Sequence, residues 1–324
     1  MSKEKWAIGI DLGGTKIEIA LVSNKGEIKS RQRFPTDSTK GYKIVLEHTA
    51  KAIEEICNQN KNIKPKAIGI GVAGQITKDT GIVKFSPNLN WHNVKLQETL
   101  TKKTGLPVSV CNDVKAAAIG EWLYGAGKGC NDLVCVFVGT GIGGCIISNG
   151  KIVDGFNNTA GEIGHITIDI NGPKCHCGNN GCFEALAGGW AIQRDVEEAV
   201  KKNKTSGKIL LQLAEGKIKN INAKTIAEGL KEKDALSKTI TENFTNVLIA
   251  GGTSIANAFG PQRIIFGGGI IEGFPGLLTA IEKGIKKNAL QAATHSLKIA
   301  TAKLHNDSGV IGAAAYALRS HKKK

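Results

Sequence analysis

The chain has 324 residues, of which 41% are hydrophobic and 22% charged, a composition that excludes an intrinsically disordered protein. Lys and Arg number 43 against 28 Asp and Glu, a formal net charge of +15, but only 5 are arginine and no aromatic–basic interleaving appears, which argues for a lysine-rich solvated surface and no nucleic-acid partner. Glycine is in excess, 41 residues against a usual ~7% of a chain; with 7 prolines and no G-X-Y period this is not collagen, and the clusters mark tight turns or close approach of backbone to a ligand.

The start, MSKEKWAIGI, carries no signal-peptide pattern, and no apolar run approaches the ~18 residues of a membrane span. A cytoplasmic location with no membrane partner is expected, and the 8 cysteines read as thiols or metal ligands rather than a disulfide scaffold. Residues 6–12 predict a strand ending in Asp11, 13–16 a turn, and 17–23 a second strand closed by the turn 24–26. An amphipathic helix follows at 44–60, then a buried strand with a glycine exit at 67–74, loop and short strand over 75–92, and a short helix near 95–104. The strand 107–113 runs directly into a helix at 114–124. Residues 133–152 repeat the opening grammar of strand, Gly/Thr turn, strand and Asn-Gly turn, so two related sheet domains are expected. After irregular ground at 153–184 the chain reads as mostly helical over 186–260, with a buried strand at 263–270, a strand at 296–304 and a small-residue helix at 309–320. Strands alternating with helices point to an α/β architecture.

Several constellations carry chemistry. DLGGTK at 11–16 joins two strands, so it lacks the strand–turn–helix context of a Walker A loop or a dinucleotide fingerprint. Such a loop is either a tight hairpin or a cradle of backbone N–H groups for phosphate, with Asp11 placed to hold Mg²⁺ directly or through water. GTGIGG at 139–144 offers a second loop, with the Thr140 hydroxyl as a donor, and Gly267–Gly269 would let a flat base or ribose lie against backbone. Cys175, Cys177 and Cys182, with His165 ten residues upstream, offer three thiolates and an imidazole. That soft tetrahedral set suits structural zinc, the alternative being buried thiols without a ligand. His176 should point elsewhere, and cysteines 57, 111, 130, 135 and 145 read as core. Asn112–Asp113, at a strand end, is either a helix cap or a base for an acceptor hydroxyl. Asn88, Glu162, His165 and Glu184 suit paired hydrogen bonds to vicinal hydroxyls, although Glu184 equally fits a helix start.

DLGGTK at 11–16, GVAG at 71–74, PNLNW at 87–91, CND at 111–113, GTGIGG at 139–144, AGEIGH at 160–165, CHCGNNGCFE at 175–184 and FGGGI at 266–270, in this order, resemble the ROK family of sugar kinases, within the actin/hexokinase-like superfamily. The resemblance implies two α/β (ribonuclease H-like) domains with mixed sheets flanked by helices and an interdomain cleft. It implies a small domain of 1–118 plus 309–324 and a large domain of 119–308 bearing the zinc loop 160–184. It implies transfer from ATP–Mg²⁺ to the 6-hydroxyl of a hexose, glucose first, with N-acetylmannosamine, N-acetylglucosamine, mannose or fructose as alternatives and a non-catalytic sugar sensor as another class. By the same resemblance Asp113 is the catalytic base, and Gly74, Asn88, Asn112, Asp113, Glu162, His165 and Glu184 bind sugar. Asp11, Gly13, Gly14, Thr15, Lys16, Thr140 and Gly141 serve phosphate and Mg²⁺, Gly268 and Gly269 lie near adenosine, and His165, Cys175, Cys177 and Cys182 hold Zn²⁺. A homodimer or homotetramer is implied. With ten residues before Asp11, the DNA-binding module of the family's repressors is not expected. The chain departs from the pattern at Cys145, where members often have a third glycine, and at ALAGG (185–189), where they often read ALASG.

Overall fold

The computed structural model describes residues 4–321; residues 1–3 and 322–324, at the outer ends of the expected small domain, lie outside it. Backbone contacts divide the chain into two units. One contains the chain up to Gly129, Val153–Ala160 and the chain from Lys303; the other contains Cys130–Ile152 and Gly161–Ala302. The first unit therefore runs past residue 118 and takes in a segment from the middle of the chain.

In the first unit Trp6–Leu12 (β1) and Lys16–Ser23 (β2) form an antiparallel hairpin. Ile28–Pro35 (β3) adds to β2 as an edge strand, and Ile68–Val72 (β4) lies parallel to β1 on the other side. Gln75–Ile76 (β5), Val83–Ser86 (β6) and Trp91–Val94 (β7) make a separate three-stranded sheet. Val108–Asn112 (β8) completes the main sheet in the order β3-β2-β1-β4-β8. The inner strands are buried on both faces, which is why IGIGV of β4 is a continuous apolar run rather than an alternating one. Edge strand β3 alternates half-buried and exposed residues and carries too few apolar positions to stand out in the sequence.

Helix Tyr42–Gln59 (α1) buries Val45, Leu46, Thr49, Ala52, Ile53 and Ile56 on one stripe, and Leu96–Thr104 (α2) closes on Gly105 in the left-handed conformation. Asp113–Leu123 (α3) follows β8 without a loop. The last described helix, Ser308–Ser320, packs on β1, β4 and α3. Its small residues have a steric cause: a Cβ on Gly9, Gly69 or Gly312 would overlap the carbonyls of Val310, Ala313 and Ala116 respectively. Glu121 of α3, wholly buried, anchors the approach to this helix by accepting hydrogen bonds from the Ala126 N–H (2.8 Å), the Lys303 N–H (2.9 Å) and the Leu304 N–H (2.6 Å).

The second unit repeats the topology. Leu133–Val138 (β9) and Ile142–Ser148 (β10) form the hairpin and Lys151–Ile152 (β11) the edge. Arg263–Gly267 (β12) lies parallel to β9, and Lys298–Thr301 (β13) parallel to β12. The order β11-β10-β9-β12-β13 matches the first sheet strand for strand, so the repeated grammar at 133–152 is a repeated hairpin. Phe183–Ala187 (α4), Gly189–Lys202 (α5), Lys208–Leu213 (α6), Ala223–Lys231 (α7) and Ala235–Phe259 (α8) fill the predicted helical region. Asp234 caps α8 by accepting from the Ser237 N–H at 2.7 Å. Gly269–Gly273 (α9) opens directly after β12, so only 263–267 of the expected strand 263–270 is strand. Leu277–Asn288 (α10), which the sequence reading leaves unassigned, buries Leu277, Ile281 and Ile285 at a helical spacing. No described helix is long and apolar enough to cross a membrane.

Candidate functional site

In the first unit the chemistry gathers where β1, β4 and β8 end, the carboxyl edge at which open α/β sheets bind ligands. Asn112 and Asp113 divide the two roles left open by the sequence. Asn112 is the cap: its Oδ1 accepts from the Val114 N–H at 2.9 Å and the Lys115 N–H at 3.3 Å. Its Nδ2 reaches the Gly74 carbonyl at a long 3.5 Å. Asp113 accepts from the Val114 N–H with Oδ1 at 2.9 Å, its own backbone N–H also faces the carboxyl, and among the described residues no side chain donates to it. Burial raises its carboxyl above the ordinary range. Asp11, at the end of β1, is pushed up to about 6 by burial, then by the charges of Asp113 and Glu18. The start of the last helix lies against it, since a Cβ on Gly309 would stand 2.9 Å from its Oδ2.

The glycine turn beside Asp11 is a hairpin closed by the Gly13 N–H on the Lys16 carbonyl, with Thr36 bonded to both Gly13 and Thr15. A Cβ on Gly14 would stand 2.7 Å from the Asn88 carbonyl, so the turn and the PNLNW segment touch. Gly74 has a φ of +139°, and a side chain there would overlap the Phe85 carbonyl. Thr15, Lys16 and Asn88 are exposed.

The second unit builds its own cluster. Gly139, Thr140 and Gly141 form the turn between β9 and β10. The Gly189 N–H donates to the Gly139 carbonyl at 2.9 Å and the Trp190 N–H to the Thr140 carbonyl at 3.0 Å, so α5 begins on this turn. Glu184 lies beneath it. Its Oε2 accepts from the Ile142 N–H at 2.9 Å and its Oε1 from the Trp190 indole at 3.3 Å. The carboxylate that reads as a helix-start residue therefore turns away from its own helix and towards the turn. Gly268, with a φ of +92°, packs on the end of β9, while a Cβ on Gly269 would meet only open space. Cys145 is buried in β10 opposite Cys135, so its thiol does not crowd the turn.

The loop 160–184 brings four predicted ligands together. His165 Nδ1 lies 3.7 Å from Cys175 Sγ, Cys177 Sγ lies 3.6 Å from Cys182 Sγ, and all four donors fall within 4.8 Å of one another. Burial pushes the Cys182 thiol up to about 12, whereas the Asn179 N–H draws the Cys177 thiol down. Glu162 is exposed just before the 3-10 turn Ile163–His165. His176 points away from the thiols, as expected, and stacks on Trp190 at 4.2 Å.

Three elements escaped the sequence reading. Glu18, 3% exposed, faces Asp11 across the β1–β2 register and is held by Arg33 and by Arg31, which is itself paired with Asp307 at 2.9 Å. The signal for it was a lone carboxylate inside the apolar strand IEIALVS. Lys115, buried in α3, bonds Asp154 and Asn158 at 2.7 Å each and so ties the segment Val153–Ala160 down. Trp190 was an aromatic in glycine-rich ground, and nothing in the sequence pointed to its partner.

The family model described as "ROK family" matches residues 7–320. A glucokinase of Halalkalibacterium halodurans is 35% identical over 312 residues, 95% of this chain and 94% of that protein. A xylose repressor of Bacillus subtilis is 31% identical over 313 residues, 96% of this chain and 76% of that protein. The crystal structure of a ROK family glucokinase from Streptomyces griseus, in complex with glucose and AMPPNP, superposes with a TM-score of 0.81 at 31% identity, over 97% of this chain and 99% of that one. Two hairpin-led sheets of one topology, ending on glycine turns in the family's order, place the chain in the ROK family of sugar kinases and regulators, with its actin/hexokinase-like fold.

Proposed function

We propose that the protein is an ATP-dependent hexose kinase that phosphorylates the 6-hydroxyl of glucose. The observation that carries this reading is Asp113: a half-buried carboxyl of raised pKa at a strand's carboxyl end, its helix already capped by Asn112, with no side-chain donor on it among the described residues and so able to accept from a hydroxyl. A carboxylate in that state takes the hydroxyl proton as the oxygen–phosphorus bond forms and the γ-phosphoryl leaves ADP. Asn88, Asn112, Glu162, His165 and Glu184 orient the sugar, with the Gly74 backbone beside them. Gly13, Gly14, Thr15, Lys16, Thr140 and Gly141 receive the phosphates, and Gly268 and Gly269 leave room for adenosine.

Oxygen donors suit Mg²⁺, and Asp11 would hold it directly or through water, where the ion's charge offsets that of the phosphates. Sulfur and imidazole donors suit zinc: a tetrahedral ion with bonds of about 2.3 Å to sulfur and about 2.0 Å to nitrogen separates its donors by roughly 3.5–3.8 Å. The 3.7 Å and 3.6 Å separations here meet that requirement. Zinc would brace the loop that carries Glu162 and Glu184. Metal analysis after dialysis is expected to find about one zinc per chain. Cys177→Ser should lower that content, lower Tm by several degrees and raise the KM for sugar more than that for ATP. A metal-free protein that is folded and fully active excludes the assignment.

The test of the function is a panel of hexoses and N-acetylhexosamines with ATP and a coupled ADP readout. Glucose is expected to give the highest kcat/KM. Preference for another hexose or for an acetylated hexosamine keeps the kinase and changes its substrate, and no phosphorylation of any of them sinks the enzyme reading. The 31% identity to a xylose repressor supports one other outcome, sugar binding without ADP release, which would make the protein a sensor.

A further inference from the structure

We propose that Trp190 is a positioning residue for the sugar site: it locks the Glu184 carboxylate and couples it to the glycine turn at Thr140 and to the metal loop at His176. The inference rests on the reading of Glu184 as a sugar contact and goes beyond it.

Three separate contacts meet at this residue. The indole Nε1–H donates to Glu184 Oε1 at 3.3 Å, while the Ile142 N–H holds Oε2 at 2.9 Å. The carboxylate thus has one donor from the sheet and one from a side chain, and both of its oxygens are directed. The Trp190 N–H donates to the Thr140 carbonyl at 3.0 Å, next to the Gly189 bond to Gly139. That backbone approach needs the glycine pair, since a Cβ on Gly189 would stand 2.7 Å from the Gly139 carbonyl and one on Gly188 2.8 Å from the Glu184 carbonyl. Finally, the ring stacks on His176 with centroids 4.2 Å apart and planes 27° apart, and the Arg194 guanidinium lies 5.4 Å from the ring centroid.

His176 stands between two of the candidate ligands, Cys175 and Cys177. A change in the metal loop therefore moves a ring that presses on the indole, and the indole carries it to Glu184. A tryptophan that merely filled space would need neither the directed N–H nor the exposed histidine partner.

Trp190→Phe keeps an aromatic ring beside His176 and removes the indole N–H together with part of the ring surface. It is expected to raise the KM for glucose about 5–10-fold, the worth of an ordinary hydrogen bond, with the KM for ATP within about twofold and only a small loss of Tm from the smaller ring. In a Glu184→Ala background, Trp190→Phe should add no further loss, because its effect runs through that carboxylate. Losses that multiply in the double variant overturn the proposal. Glu184→Ala with normal glucose kinetics overturns the sugar-contact reading and this inference with it. An impaired Glu184→Ala beside a normal Trp190→Phe overturns this inference alone.

Tryptophan emission supplies an independent readout. The difference spectrum between the native chain and Trp190→Phe should shift on adding glucose and on chelating the metal. His176→Ala, an exposed change, should weaken the response to chelation, the remainder passing through the packing of Trp190 on the Cys175–Cys182 cluster, and keep the response to glucose; a response to chelation of undiminished size overturns the role of His176. Emission from Trp190 that ignores both treatments overturns the coupling.

Discussion

Asp113→Asn is expected to lower kcat by about 10³-fold or more while glucose affinity stays within about threefold. The amide has the shape of the carboxyl and can still accept the Val114 N–H, and Asn112 keeps α3 capped, so the fold around the site should survive. What the amide cannot do is take a proton from the acceptor hydroxyl. Isothermal titration with glucose and the coupled ADP assay separate these two properties. Normal turnover in the variant would exclude Asp113 as the base. The raised pKa also sets the direction of the pH profile: the base works when ionised, so activity should rise with pH and be lost on the acid side, starting above the ordinary aspartate range.

Asp11→Asn is expected to stabilise the protein at neutral pH and to cost activity. Burial and the charges of Asp113 and Glu18 hold the Asp11 carboxyl near 6 in the folded chain, against 3.8 as the ordinary value. Between those values the folded state binds the proton that the unfolded state has released. The ionised group therefore destabilises the fold in full above about pH 6, and the penalty fades as the pH falls towards 4. A shift of this size corresponds to roughly 3 kcal/mol. The neutral amide removes it, so Tm at pH 7.5 should rise by about 5 °C and the gain should vanish near pH 4. Thermal melts from pH 4 to 8 measure this directly. The same variant loses the charge proposed to hold Mg²⁺, so kcat should fall about 10²-fold, the cost of a site built from a strained carboxylate. A variant no more stable than the native chain at pH 7.5, or stabilised equally at pH 4, contradicts the account of Asp11.

The charge network around Asp11, centred on buried Glu18, explains why this tension is tolerated. Glu18 sits opposite Asp11 in the β1–β2 register and opposite Arg33 in the β2–β3 register, so the edge strand delivers a cation to a carboxylate that, after Asp113, adds to the negative charge on Asp11. Arg33 and Lys16 both act to lower the Asp11 value, and burial outweighs them. Such a network is worth more to the geometry of the site than to net stability.

Much of this molecule was legible before its fold. DLGGTK and GTGIGG could be read because backbone can approach a phosphate or fold into a tight strand–strand turn only where side chains are absent. The Cys-x-Cys-x4-Cys spacing pointed to one cluster of thiols, and the structure brings these thiols and His165 within 4.8 Å of one another. The inner strands announced themselves as apolar runs and α1 as a stripe, and the second hairpin was visible as a repeat of the first. Edge strand β3 was not, because an edge needs few apolar residues, and neither was the three-stranded sheet of β5, β6 and β7, whose strands are only two to four residues long.

The sequence by itself determined the inventory: which glycines, carboxylates and thiols exist, their order, and the family that order implies. The tertiary structure alone decided how neighbouring groups share their work. It made Asn112 the cap and left the Asp113 carboxyl without a side-chain donor among the described residues, turned Glu184 from its helix to the Ile142 N–H, and set His176 on Trp190. The reason is that a hydrogen bond or a ring stack depends on distances of a few ångströms between groups as far apart in the chain as Ile142 and Glu184. Those distances are fixed by how strands and helices pack, which no local pattern of residues encodes.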